Sequence, residues 1–179
     1  MKTEDYVSLE TAKLLKEKGF KMWCYKCYGT AVYHKGVPIS FDEECDLKDE
    51  GLEDEIEYVE GGYLYDFGCD NRKKDAKVYA APTFQTAMKW LREIHHIFLV
   101  VDYNYECTDK SYIYKVYHLG ENGKPERFPV WGVSYDIEGN QHKEIVSYRN
   151  FELSYFDYAT YDEAADEGIK YCLENWIQI

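Results

Sequence analysis

Cys24 and Cys27 are separated by two residues, a spacing found in thiol redox sites and in one half of many zinc sites. A redox cysteine of this type lies at a helix N-terminus after a buried strand, because the helix dipole lowers the pKa of its thiol. Here a predicted helix ends before the pair, at Gly19, and the residues after the pair are strand-like. The setting therefore does not favour redox catalysis.

The same cysteine pair could bind zinc together with Cys45 and Cys69, or with His34. A structural zinc site usually takes its remaining ligands from a second close pair, and Cys45 and Cys69 are isolated in the sequence. Free thiols that pack as small apolar side chains are the preferred interpretation. We therefore predict no cofactor and no metal, and a thiol- or metal-dependent protein that uses Cys24 and Cys27 is the alternative.

His95 and His96, at the end of a predicted helix, are the other candidate metal ligands. His95 falls on the apolar side of that helix, as core or capping histidines do, and His96 falls on the polar side next to Arg92. The sequence places no acid or metal partner beside either ring. The chain also lacks a glycine-rich phosphate loop, a nucleophile elbow and a His-Glu-x-x-His array. We predict no catalytic residue and expect a protein that is not an enzyme.

Tyrosine is the most unusual feature of the composition, with 19 residues in 179. Many lie in predicted strands, where an exposed aromatic face would bind a peptide or stack on bases. Few basic residues accompany them, which argues against bases, and packing beneath helices is the competing and favoured interpretation. The predicted interaction surface consists of Tyr103, Tyr105, Tyr112, Tyr114 and Trp131.

The formal net charge is −13, and residues 42–60 alone hold eleven acids and one base. Such a field repels nucleic acid and anionic membranes and favours a protein partner. We interpret 42–60 as a solvated acidic surface segment. The more specific alternative is a nucleic-acid mimic that occupies the basic groove of a DNA-binding protein. The chain start shows no signal peptide, and no apolar run is long enough to span a bilayer, so a cytoplasmic location is expected.

These residues are positioned by a central segment, 82–101, that predicts a helix running into a strand. Thr83 is a suitable N-cap, and apolar residues then recur at three- and four-residue steps. The apolar residues are Phe84, Ala87, Met88, Leu91, Ile94 and His95, with Trp90 at the edge. The uninterrupted apolar run 97–101 predicts a strand covered on both faces.

The remaining pattern predicts two further helices and several antiparallel strands. Ser8 and Thr160 are N-caps, and Thr160 forms a capping box with Glu163. Residues 34–36 predict a hairpin turn whose second arm, containing Pro38, is an edge strand. Alternating residues after 111 predict a meander of strands.

Segments 6–20, 81–93, 161–164 and 169–174 carry a resemblance to a known group of sequences. In these helical segments, the chain resembles an uncharacterised family of small proteins from gut-bacterial genomes, prophages and phages. The resemblance covers about a quarter of the chain and implies no catalytic or binding residue. It implies a phage-linked role in the cytoplasm.

Together the patterns predict an α+β fold with an antiparallel sheet of about five strands and two helices packed on one face, plus an N-terminal helix and hairpin. Residues 1–179 are expected to form a single domain. The biochemical function is not fixed by the sequence. The leading hypothesis is a small non-catalytic interaction protein whose partner is another protein, without nucleic acid or membrane.

Overall fold

The computed structural model describes residues 6–66, 69, 71–72, 77–105, 111–120, 122–135, 138, 141–154 and 156–177. The chain divides between Thr83 and Phe84 into two compact units, and each is described by itself. The single domain over 1–179 therefore stays a prediction. Within the described ranges, none of the helices combines the length and the apolarity needed to cross a membrane.

The first unit is built around one central strand. Its elements are α1 (Leu9–Glu17), β1 (Lys26–His34), β2 (Val37–Pro38), α2 (Phe41–Asp49), a 3₁₀ turn (Glu53–Glu55), β3 (Ile56–Tyr65) and β4 (Tyr79–Ala81). β1 pairs antiparallel with β2, β3 and β4. The predicted hairpin is confirmed: Lys35 and Gly36 turn the chain with φ of 51° and 77°, and Pro38 lies in the edge strand β2.

Both predicted ends of α1 are confirmed. The Ser8 hydroxyl accepts a hydrogen bond from the Thr11 amide at 3.2 Å, which satisfies one of the unpaired first amides of the helix. Gly19 follows the helix with φ of 88°, a left-handed conformation that costs glycine little. Phe20 comes next and is fully buried, and its amide donates a hydrogen bond of 2.9 Å to the Leu15 carbonyl, so backbone hydrogen bonds and burial both hold the end of the helix.

The second unit contains two helices and five strands among its described residues. Its elements are α3 (Phe84–His95), β5 (Ile97–Tyr103), β6 (Tyr112–His118), β7 (Phe128–Tyr135), β8 (Gln141–Arg149), β9 (Glu152–Leu153) and α4 (Tyr161–Asn175). The α+β class and the five antiparallel strands are confirmed, and the strands form two sheets, β5-β6-β9 and β7-β8. The predicted meander is wrong at one point, because β6 pairs with β9 and not with β7.

α3 and α4 both pack on β5, and α4 also covers β6. The strand residues beneath them are buried: Ile97, Leu99, Tyr114 and Val116. Coverage of β5 on both faces was expected and is wrong, because alternate residues point away from the helices and Val100 is exposed. The buried face of α3 is also turned from the expected one, since Trp90 is buried and Ile94 is exposed.

Candidate functional site

Four tyrosines form an aromatic cluster where β5 ends, β6 begins and α4 begins. We call Tyr103, Tyr105, Tyr112 and Tyr161 the tyrosine patch. Tyr103 and Tyr112 are opposite each other in the β5–β6 register, with ring centroids 5.6 Å apart. The ring centroid of Tyr105 lies 5.1 Å from that of Tyr103, and the ring centroid of Tyr161 lies 6.3 Å from that of Tyr112. The strand register therefore fixes the centre of the cluster, and the first residue of α4 extends it.

The tyrosine patch is ordered by ring contacts but still accessible. All three ring pairs are edge-to-face, an arrangement that contributes about 0.5–1.5 kcal/mol beyond the burial of area. Tyr105 nevertheless exposes 83% of its surface, and Tyr161 is also exposed. Exposed aromatic rings that are already held in position are typical of residues that dominate protein interfaces.

A second group of aromatic rings lines a cavity of about 210 Å³ beside α4. We call it the aromatic pocket; it is lined by Tyr114, Phe156, Tyr158, Glu167, Lys170, Tyr171 and Glu174. Tyr114 was expected on the interaction surface, but in the structure it lines this pocket and is only 6% exposed. Its ring centroid lies 6.0 Å from that of Tyr158 and 5.8 Å from that of Tyr171.

The pocket depends on how closely α4 approaches the sheet, and Gly168 sets that approach. A Cβ at this position would lie 2.8 Å from a Leu99 methyl carbon and 3.0 Å from Tyr114 Cγ. A residue with a side chain therefore fits there only if the side chains of Leu99 and Tyr114 shift. Tyr171 follows one turn later on the same side of the helix and so comes to lie against Tyr114.

Burial keeps the phenols of Tyr114 and Tyr158 neutral. Tyr171 donates to Glu152 Oε2 at 2.6 Å, and the Tyr114 hydroxyl donates to that of Tyr158. Burial raises the pKa of Tyr114 above its ordinary value, and burial and the nearby Glu167 raise the pKa of Tyr158. The phenols of Tyr114 and Tyr158 therefore stay protonated near neutral pH and present rings and hydroxyls, not an acid–base pair.

The tyrosine patch and the aromatic pocket are adjacent. Tyr112 of the patch and Tyr158 of the pocket exchange backbone hydrogen bonds, each of 2.8 Å. The two sets of rings therefore belong to one continuous region of the second unit. The remaining predicted surface residue, Trp131, lies in β7, and its side chain falls outside the described part of the chain.

The structure brings the cysteine pair of the first unit together with Cys69. Cys24 and Cys69 exchange backbone hydrogen bonds of 2.8 and 2.9 Å, and the side chains of Cys27 and Cys69 are hydrogen-bonded. The other ligands considered are placed elsewhere. Cys45 lies in α2, and His34 ends β1 with its Nε2 3.0 Å from Glu55 Oε2.

The thiols of Cys24 and Cys27 form no disulfide and are poorly suited to nucleophilic chemistry. Burial and the neighbouring Cys27 raise the pKa of Cys24 to about 12, and burial raises the pKa of Cys27. A thiol is reactive as its thiolate, so a raised pKa leaves it inert near neutral pH. Among the described residues, no group of three or more His, Cys, Asp or Glu side chains is arranged to hold a metal ion.

The two histidines at the end of α3 have different surroundings. The rings of His95 and Trp90 meet edge to face, with their centroids 4.5 Å apart. Burial lowers the pKa of His95, and the neighbouring His96 lowers it further by a smaller amount. His96 is exposed and adopts a left-handed conformation with φ of 56° as the chain leaves the helix. α3 therefore ends between the two residues, and the pair resembles an ordinary helix C-terminus.

The acidic segment 42–60 is ordered in the first unit as α2, the 3₁₀ turn and the first half of β3. Part of its charge is paired locally. Glu44 accepts hydrogen bonds from Lys48 at 2.6 Å and from the Tyr58 hydroxyl at 2.7 Å, and Lys35 lies 2.8 Å from Glu55. These hydrogen bonds and charges lower the pKa of both carboxyls.

Sequence reasoning missed four contributors to the aromatic region: Phe156, Tyr158, Tyr161 and Tyr171. Tyr161 and Tyr171 did fall on the apolar side of the predicted helix, which was the available signal. Nothing local to Tyr158 indicates that it pairs with Tyr112, because that bridge joins residues 46 positions apart.

No family model, curated protein or solved structure matches the chain.

Proposed function

We propose that this is a small non-catalytic interaction protein that binds another protein through the tyrosine patch. The observation that carries the proposal is the edge-to-face cluster of Tyr103, Tyr105, Tyr112 and Tyr161, which is both fixed and accessible. Pre-ordered tyrosines supply large contact areas at a small cost in side-chain entropy, so they are effective interface residues.

Charge supports a protein partner over a nucleic acid. The second unit holds 16 acids and nine bases in residues 84–178, and the whole chain is at −13. Non-specific affinity for nucleic acids comes mainly from basic residues that neutralise phosphates, and an excess of acids opposes it. The same excess attracts a basic partner and raises its rate of encounter.

The chemistry of the titratable groups supports a non-catalytic role. The buried thiols and phenols have raised pKa values and are protonated near neutral pH. The contact between Cys27 and Cys69 fits the thiol or metal alternative, but the raised pKa values of Cys24 and Cys27 oppose it. The resemblance of the helical segments supports a phage- or prophage-linked role in the cytoplasm.

The proposal is tested by affinity capture from lysate of the native host, comparing wild type with the double variant Tyr103→Ser, Tyr105→Ser. Tyr25→Ser is the matched control, because Tyr25 is a tyrosine of the first unit with 58% exposure. We expect wild type and Tyr25→Ser to retain the same partner and the double variant to lose it. Equal retention by all three proteins contradicts the proposal.

A further inference from the structure

The aromatic pocket has the size of one side-chain end. Its volume of about 210 Å³ lies below the 300–1,000 Å³ typical of sites for drug-sized ligands. Tyr114 is the most buried of its rings, Tyr158 and Tyr171 flank that ring, and Phe156 exposes 74% of its surface. A ligand group that enters therefore meets aromatic rings together with the charged side chains of α4.

The charges around the pocket favour a cation. Glu167 and Glu174 lie two turns apart on α4, and Lys170 lies between them, which leaves one excess negative charge among the lining residues. Glu167 is close enough to Tyr158 to raise the pKa of that phenol. Neutral aromatic rings attract cations through the negative potential of their faces, and nearby carboxylates strengthen that attraction.

Other ligand classes fit these features less well. An anion is attracted by Lys170 but meets two carboxylates, so the net charge of the lining opposes it. A purely apolar group gains from the rings but makes no use of the net negative charge of the lining. An alkylated ammonium group satisfies both features, because its carbon atoms pack on the rings and its charge is delocalised over them.

We propose that the aromatic pocket binds the side-chain ammonium group of a lysine, free or N-methylated, on the protein that docks on the tyrosine patch. This inference rests on the proposed function and names the chemistry of its partner. The backbone hydrogen bonds between Tyr112 and Tyr158 place the pocket directly beside the patch, so one basic segment can reach both. The overall charge of −13 complements such a partner.

The test uses the full-length protein and three small probes at fixed ionic strength: the Nα-acetyl amides of lysine and trimethyllysine, and the isosteric amide in which carbon replaces the quaternary nitrogen. Binding is followed by NMR shifts of the tyrosine ring signals. We expect the trimethyllysine amide to bind about tenfold more tightly than its neutral isostere, the difference expected from the ring–cation attraction. Equal binding of the charged and neutral probes, or no saturable shift with any of them, overturns the inference.

Two variants test whether the cationic probe binds in the aromatic pocket. Tyr158→Leu removes a ring and keeps an apolar side chain, and we expect at least about fivefold weaker binding of the cationic probe. Lys170→Gln removes a positive charge from a half-buried helix position and is expected to strengthen binding about twofold. Unchanged affinity in both folded variants contradicts the assignment of the pocket.

Tyr103→Leu is the matched control, because it changes the tyrosine patch without lining the pocket. It is expected to leave probe binding unchanged. If the patch variants lose the partner while the probes do not bind, the inference fails and the proposed function stands. If the probes bind as expected while the patch variants retain the partner, the proposed function fails and the pocket assignment stands.

Discussion

α2 in the first unit and α4 in the second carry the same charge, five acids and one base, and each contains one cysteine. Both begin with a capping box. Ser40 pairs with Glu43 in α2, and Thr160 pairs with Glu163 in α4, with hydrogen bonds of 2.8–3.3 Å. By their local sequence signals the two helices are therefore close equivalents.

The two helices differ in how many of their residues are buried. α4 buries six residues against the sheet of its unit: Ala164, Ala165, Gly168, Ile169, Cys172 and Leu173. In α2, none of residues 42–49 is buried. Most of the stability of a protein helix comes from a buried face and not from its caps, so we expect α4 to be firmly anchored and α2 to open easily. The candidate pocket accordingly lies on the anchored helix.

The largest expected difference is in thiol labelling. Cys172 in α4 is buried, and that burial raises its pKa, whereas Cys45 in α2 is half-buried. At pH 8 we expect iodoacetamide to label Cys45 faster than Cys172 by on the order of a thousandfold, because Cys172 must wait for global unfolding. Mass spectrometry of peptides reports both rates in one sample. Comparable rates for the two residues would mean that α4 opens on its own.

Core truncation tests the same difference in stability. Ile169→Ala removes a fully buried side chain of α4 and should lower the free energy of unfolding by about 3 kcal/mol. Leu47→Ala in α2 removes a half-buried side chain and should cost about 1 kcal/mol. Urea denaturation measures both. A loss for Leu47→Ala as large as that for Ile169→Ala is incompatible with the comparison.

Removal of the caps should have a smaller and more local effect. Thr160→Ala takes away one hydrogen bond at the start of α4 and should lower the free energy of unfolding by about 1 kcal/mol. Ser40→Ala breaks the equivalent bond in α2, where we expect faster amide exchange in residues 41–49 and little change in the global transition. Hydrogen exchange together with urea denaturation distinguishes the two responses.

The smallest effect concerns the surface pair of α2. Hydrogen bonds from Lys48 and Tyr58 lower the pKa of Glu44, so the ionised form is favoured in the folded state. The pair therefore stabilises α2 near neutral pH, and this contribution is lost as the pH falls through the lowered pKa of Glu44. An NMR titration of Glu44 should show its midpoint move upwards in Lys48→Met. An unchanged midpoint would show that the pair is not formed in solution.

Local signals were good predictors of where elements begin and turn. The caps at Ser8 and Thr160, the left-handed Gly19 and the turn before Pro38 all depend on neighbouring residues, and the structure has each of them. The helix α2 and its capping box of Ser40 and Glu43 were missed, because the density of acids favoured a solvated segment. In such a segment, helix-start chemistry is a better guide than net charge.

Pairing between distant segments was not predictable from local signals. The meander was expected from the alternating residues after 111. In the structure, β6 instead pairs with β9, which brings residues 152–153 beside 115–116. That pairing and the bridge at Tyr158 assemble the aromatic pocket, so its residues could not be grouped from their positions in the chain.

Composition and residues a few positions apart were sufficient to predict the α+β class, both ends of α1, the start of α4, the acidic charge and the abundance of tyrosine. Which tyrosines are covered and which are exposed depends on how distant segments pack. Gly168 allows α4 to cover Tyr114, while Tyr105 lies beyond the covered part of the strand and stays in solvent. The burial of a side chain depends on which distant segment packs against it, and the local sequence pattern does not contain that information.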